Sequence, residues 1–176
     1  MFEDYLQDSN AFFLIAEGKS KSFDERQAKR YYRASVFCAV SALEAFVNYV
    51  ADSFVKAGSL SEYETAFLND KRLYYSVEKG VIERKEFHGV DDKLRLISNR
   101  FVIGIDFDGS IWSNFQQFKD FRDSLVHPRQ VDDETVISKY QAMIKIGLQS
   151  IIELMNYVSL GVFKKPLRKK LIDLIP

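Results

Sequence analysis

The first proline of this 176-residue chain is Pro128, and glycine and proline together number only 11. That is about half the usual share of roughly 12%. An all-β chain needs a turn signal every 8–12 residues or so, and this sequence cannot supply them. Nothing upstream of Pro128 is forced to break, so long helices are the expectation. A hydrophobic fraction of 47% adds that the chain can bury a core, which a disordered segment cannot.

Periodicity places the helices. Glu3 to Glu17 reads as a helix that Gly18 ends with a C-cap, and Asp24 as the N-cap of the next. From Arg26 to Lys56, apolar residues fall at Val36, Phe37, Val40, Leu43, Phe46, Val47, Val50 and Phe54, the 3–4 spacing of a buried stripe. Gly58 stops that helix. Leu60–Leu68, Lys71–Arg84 and Asp91–Phe101 read as three shorter helices, and Ile103–Ser113 as a loop. Trp112–His127 is helical, with Phe115, Phe118, Phe121 and Leu125 on one side, and Pro128 ends it, because the residue before a proline is pushed out of the helical region. Asp132 or Asp133 caps a last long helix reaching about Leu160, whose stripe includes Tyr140, Ile144, Gly147, Leu148, Ile151 and Met155. Neither repeat nor linker interrupts the pattern. The expected fold is all-α, a single domain over residues 1–176. Its architecture is an up-and-down helical bundle with two long antiparallel helices and several shorter ones, followed by a basic tail over 161–176.

Charge and rare residues narrow the function. Lys plus Arg equal Asp plus Glu at 25 each, which removes the easiest argument for a nucleic-acid partner, a globally basic surface. One cysteine excludes a disulfide framework and a thiolate zinc cluster. The acidic N-terminus lacks the pattern of a secretory signal, and no stretch approaches 18 uncharged apolar residues. The expectation is a cytoplasmic protein with no membrane contact. No P-loop or dinucleotide fingerprint is present, and no cofactor or metal is called for.

With only two histidines, the segment Phe121-Arg122-Asp123-Ser124-Leu125-Val126-His127-Pro128 stands out. Five residues apart, Arg122 and His127 would point about 140° from each other inside an ideal helix. As the last helical residue, His127 is freed by Pro128 to turn toward the arginine's side. The pair would join a permanent cation, whose planar fork suits phosphate, to a group that titrates near neutrality and passes protons. Those are the parts needed to cleave RNA without metal: base, acid and a cation for the phosphorane. Asp123 could orient either partner. Earlier in the chain, Glu44 and Asn48 lie one turn apart on one helix face, and Glu44 interrupts an apolar neighbourhood as a residue facing a cleft would.

The Arg122-Asp123-x-x-x-His127 arrangement, on a helix entering with Phe118 and Phe121, resembles the Arg-x(4–6)-His signature of HEPN domains (higher eukaryotes and prokaryotes nucleotide-binding). Ala39-Val40-Ser41-Ala42-Leu43-Glu44-Ala45-Phe46-Val47-Asn48 resembles the long early helix of bacterial HEPN proteins, where an acidic or polar residue faces the site. The resemblance covers about residues 26–160. It implies a helical bundle that forms a homodimer, with two Arg–His motifs across one cleft. It also implies metal-independent endoribonuclease activity on an RNA substrate, as in the toxins of toxin–antitoxin or antiphage defence systems, with an antitoxin or other protein partner. Arg122, His127 and Asp123 would be catalytic, and Glu44, Asn48 and Ser124 supporting. The alternative is a catalytically inactive HEPN-like module that binds a partner protein or nucleotide. If the chain cleaves RNA, its basic residues are expected to gather around Arg122.

Other features carry ordinary expectations. Asp106-Phe107-Asp108-Gly109 resembles the opening of haloacid-dehalogenase phosphatases, but no alternating strands accompany it, so an Asp/Gly turn is expected. His88 is expected to be an exposed loop residue and Cys38 a buried small hydrophobe. Tyr31, Tyr32, Tyr74 and Tyr75 lie in basic surroundings where bases could stack.

Overall fold

A computed structural model describes residues 1–127 and 136–174. Pro128, Asp132 and Asp133, assigned above as a helix stop and caps, lie outside the described residues. Among the described residues the chain is 72% helical, with seven helices and one two-stranded sheet, a mostly all-α bundle. The helices are α1 (Phe2–Lys21), α2 (Glu25–Lys56), α3 (Glu62–Leu68), α4 (Val90–Phe101), α5 (Ser110–Val126), α6 (Ile137–Phe163) and α7 (Lys169–Ile172). The strands are β1 (Lys71–Ser76) and β2 (Gly80–Lys85). The chain divides into two compact units, one of residues 1–43 with 104–176, the other of residues 44–103.

In the first unit, α1 does not stop at Gly18. It continues to Lys21, where Lys19 and Lys21 lie in the last turn, favourable for the negative end of the helix dipole. The reversal falls to Phe23, which takes a φ of 60° and stands 93% exposed. Asp24 caps α2 as expected, its Oδ1 accepting from the Gln27 N–H at 3.2 Å.

The α2 stripe is buried at Val36, Val40 and Leu43, whereas Phe37 lies at its edge. Tyr32 is part of this core and not a stacking site for bases. Its ring stacks on Tyr140 with centroids 5.7 Å apart. Its hydroxyl donates to Glu17 Oε1 at 2.6 Å, and Gln141 Nε2 donates to the same oxygen at 2.7 Å. Burial, then the bond to the Glu17 carboxylate, push the Tyr32 hydroxyl up to about 12. A raised folded value means this contribution is complete below the ordinary tyrosine value of about 10 and is lost as pH rises through about 12. Tyr32→Phe is expected to cost about 1–2 kcal/mol at neutral pH. It should also flatten the loss of stability between those two values in alkaline denaturation series. An unchanged alkaline profile would remove the assigned role.

Helices α5 and α6 pack together through Phe115, Phe118 and Phe121 on one side and Ile144, Gly147, Leu148 and Ile151 on the other, all buried. The basic tail is ordered rather than merely solvated. Leu167 and Leu171 are buried, the Leu167 N–H donates to Asn156 Oδ1 at 3.0 Å, and Lys170 and Arg168 pair with Glu3 at 3.1 and 3.3 Å. Cys38 is half-buried; burial and then the Asp8 carboxylate raise its thiol above the ordinary range.

In the second unit, Gly58 takes a φ of +64° after α2, and Ser61 and Glu64 form a reciprocal capping box on α3. The expectation of a helix over Lys71–Arg84 is wrong: the segment is an antiparallel hairpin in which Tyr74 faces Ile82 and Tyr75 faces Val81. Aromatic and β-branched residues fit a pleated surface better than a helix. Gly80, at φ +71°, supplies the left-handed residue that closes a short hairpin loop. Phe54 and Phe101 stack with centroids 3.9 Å apart, joining the end of α2 to α4.

Both α2 and α6 contain an 18-residue window long and apolar enough to cross a membrane, with mean hydropathies of 1.5 and 1.3. Such a window tolerates up to two charged side chains, so it is a looser pattern than the 18 uncharged apolar residues that the sequence lacks. Burial covers 56% and 50% of those windows, as in the core helices of a packed bundle.

Candidate functional site

The residues of the Arg–His motif sit at the C-terminal end of α5. Phe121 anchors that end. It is buried, meets Tyr140 edge-on at 5.4 Å, and has the Lys139 ammonium 5.7 Å from its ring. One residue later, Arg122 emerges half-buried, with Nη1 2.9 Å from Asp123 Oδ1. Asp123 thus holds the guanidinium, one of the two roles foreseen for it. The contact is half-exposed, so its worth lies in fixing the fork's orientation and not in stability.

Ser124 turns its hydroxyl back onto its own helix, donating to the Phe121 carbonyl at 2.7 Å. That local bond competes with any role toward a ligand. His127 is the C-cap. Its N–H still donates to the Asp123 carbonyl at 3.0 Å, but its backbone has left the helical region, with φ −120° and ψ 65°. The side chain is exposed. A fixed guanidinium and a solvent-accessible imidazole therefore share one helix end. These are the residue types that bind phosphate and pass protons. Along α5 itself, Lys119 and Arg122 stand against Asp120 and Asp123. The expected gathering of basic residues is not found on this helix.

Glu44 and Asn48 belong to the second unit. There they line a cleft of about 100 Å³ with Asp70, Phe87, His88 and Lys93. The expectation that Glu44 borders a cleft is met. His88 is not the exposed loop residue expected. It is half-buried, its ring stacks on Phe67 with centroids 3.9 Å apart, and its N–H donates to Asp70 Oδ1 at 3.0 Å. Its Nε2 is buried without a hydrogen-bond partner. The signal that could have exposed this role is Asp70-Lys71 opening the hairpin and Phe87-His88-Gly89 closing it. Once the hairpin is recognised, those two ends must meet.

Asp106 and Asp108 form the expected turn, the Asp108 N–H donating to Asp106 Oδ1 at 3.0 Å. It leads directly into α5, not from a strand, so the phosphatase likeness ends there. Tyr74 has two guanidinium groups near its ring, those of Arg72 and Arg84 at 5.1 and 5.4 Å from its centroid. Tyr75 is 78% exposed. Among the described residues, no group of three or more His, Cys, Asp or Glu side chains is placed to hold a metal ion.

Comparison of the chain with protein-family models, with curated proteins and with solved structures finds no match. The class of protein that the fold and site define is accordingly a mostly α-helical bundle bearing an Arg–His pair at a helix end.

Proposed function

We propose that this chain is a metal-independent endoribonuclease of the HEPN kind, with Arg122 and His127 as its catalytic pair. One observation carries the reading: the Asp123-held guanidinium and the exposed imidazole of His127 share the end of α5. In the reaction, a base takes the proton of the ribose 2′-hydroxyl and O2′ attacks the adjacent phosphorus. The bond from phosphorus to the 5′-oxygen breaks, and an acid protonates the leaving oxygen. The products are a 2′,3′-cyclic phosphate and a 5′-hydroxyl. His127 serves the proton transfers, Arg122 binds the phosphate and stabilises the phosphorane, and Asp123 orients Arg122. A homodimer bringing two motifs into one cleft provides base and acid from two histidines. A cytoplasmic toxin or defence nuclease held by a protein partner is the matching biological role.

The test is single-stranded RNA incubated in EDTA with wild type, His127→Ala and Arg122→Ala. Wild type is expected to leave 2′,3′-cyclic phosphate ends, and His127→Ala to lose roughly 10²–10⁴-fold in rate. Equal cleavage by wild type and variant, or no cleavage of any RNA by wild type, would sink the proposal.

A second reading, a non-catalytic module that docks a partner protein, draws on the hairpin. Tyr75, Val77 and Val81 are 78%, 92% and 64% exposed there, an apolar surface of the sort that marks interaction sites. It expects complexes that survive both Arg122→Ala and His127→Ala.

A further inference from the structure

Basic residues do gather in the first unit, on α2 and not on α5. Between Lys19 and Arg33 the chain carries six basic residues against two acidic ones, although its totals are equal. Arg26, Lys29, Arg30 and Arg33 follow the i, i+3, i+4, i+7 spacing of one helix face, turned away from the buried Ala28, Tyr32 and Ser35. Arg26 and Arg30 are exposed, Lys29 and Arg33 half-buried. No carboxylate among the described residues forms a salt bridge with any of the six. Asp24 is engaged as the N-cap of the same helix, accepting from the Gln27 N–H.

This arrangement costs stability by itself. Like charges three and four residues apart on a helix repel, and cations in the first turns face the positive end of the helix dipole. Within the described residues no salt bridge offsets either effect, so the complement of this face is an anion from outside. Its shape is a line. From Arg26 to Arg33 the helix rises by about 10 Å, which suits the successive charges of a polymer better than a single phosphate.

Both ends of the line are informative. Ahead of it, Phe23 stands 93% exposed with a φ of 60°, a conformation that a bulky residue rarely takes. Its ring packs on no other ring among the described residues, and such a ring can stack a base. At the far end, Tyr32 precedes Arg33 and ties the helix termini together. It donates to Glu17 near the end of α1 and stacks on Tyr140 at the start of α6, which meets Phe121 edge-on. Phe121 precedes Arg122 near the end of α5. The basic face of α2 and the Arg–His pair therefore belong to the same end of the first unit.

We propose that Arg26, Lys29, Arg30 and Arg33 form a track for the phosphates of single-stranded RNA, with Phe23 stacking a base at its entrance, and that it leads the strand toward Arg122 and His127. The charge and extended form of the occupant follow from α2 alone; its being RNA rests on the ribonuclease reading. A membrane surface is the competing anion. It fits less well, because Ser20, Ser22 and Asp24 surround Phe23 in the sequence, where a lipid-binding segment would place further apolar side chains.

The test uses the full chain and a labelled single-stranded oligoribonucleotide bearing 2′-O-methyl groups. That probe keeps its phosphates and cannot be cleaved through O2′. Binding is followed by fluorescence anisotropy at several salt concentrations. Four phosphate contacts predict a slope of log K against log salt of about −3 for a single strand. Arg26→Gln combined with Arg30→Gln is expected to weaken binding roughly tenfold or more and to reduce the slope by about 1.4. The melting temperature of this double variant should match or exceed that of wild type, because repulsion is relieved. Lost contacts are thereby separated from a lost fold. Phe23→Ala should weaken binding about tenfold with the slope unchanged, since stacking carries no charge. Wild type that ignores the strand at low salt, or a double variant with wild-type affinity and slope, would overturn the proposal. So would retention on vesicles of phosphatidylserine and phosphatidylcholine without binding to the strand. Strand binding with the expected slope but no cleavage of ordinary RNA removes the ribonuclease reading and leaves the track. Cleavage that depends on His127, together with unaltered strand binding by the double variant, removes the track alone.

Discussion

Gly147→Ala is expected to lower the unfolding free energy by about 3 kcal/mol, near the upper end for overpacking a filled core. A methyl group on Gly147 would stand 2.6 Å from Cδ1 of Phe118, with Cγ and Cδ2 nearer still. Phe118 is fully buried, so its ring has no free volume to enter. Helix propensity argues the other way, since alanine is better than glycine in a helix interior by about 1 kcal/mol. The sign of the effect therefore tells which term governs. Urea denaturation should show a lower midpoint with an unchanged slope. Combining Gly147→Ala with Phe118→Leu should recover part of the loss, because two residues in contact couple non-additively. A midpoint that rises would show that α5 and α6 are not held at this close approach.

Asp70→Ala is expected to destabilise the protein by about 3–5 kcal/mol, the cost of leaving a buried charge without its counter-charge. Lys93 is the charge in question, 7% exposed and 3.0 Å from its partner. Lys93→Met should cost far less, because Asp70 is 32% exposed and can be hydrated once the ammonium is gone. The pair also sets an acid limit. Burial alone would raise the Asp70 carboxyl, but the His88 N–H bond and the Lys93 ammonium together hold it below its ordinary value. A depressed folded value means that the contribution is present above the unfolded pKa of about 3.9 and disappears as pH falls through the folded one. Thermal melts taken from neutral pH downward should lose stability more steeply below about 3.9 in wild type than in Asp70→Asn. That variant keeps an acceptor for His88 but has no proton to gain. Parallel acid profiles for the two proteins would show that the pair does not govern this limit.

Most helices were legible because their signals are local. The 3–4 spacing of apolar residues needs no knowledge of the fold, and it located α2, α5 and α6 within a few residues. Asp24 and Gly58 acted as the punctuation their chemistry dictates. Gly18 misled, because a glycine in the last turns of a helix is tolerated when the following residues can still bond back. Lys71–Arg84 misled for a different reason. A short run containing Leu, Tyr, Val and Ile has no periodicity long enough to separate strand from helix, and here pairing between β1 and β2 overrode the helical expectation.

The candidate sites divide along the same line. Arg122, Asp123 and His127 are neighbours in sequence, so one helix end suffices to bring them near one another, and their chemistry could be weighed before any fold was known. Scarcity of glycine and proline likewise determined the mostly helical class, because without turn signals the backbone has no other way to satisfy its hydrogen bonds over long stretches. Tertiary structure alone decided the cleft of the second unit. His88 lies 44 residues from Glu44 in the sequence, and Asp70 and Lys93 are 23 apart. Only the hairpin, which carries the chain out after Asp70 and returns it at Glu86, where the N–H bonds the Asp70 carbonyl at 2.9 Å, brings them to one place. Burial of that meeting point is what pairs Lys93 and leaves the His88 nitrogen unpartnered, and burial is a property of the folded whole that no local pattern encodes.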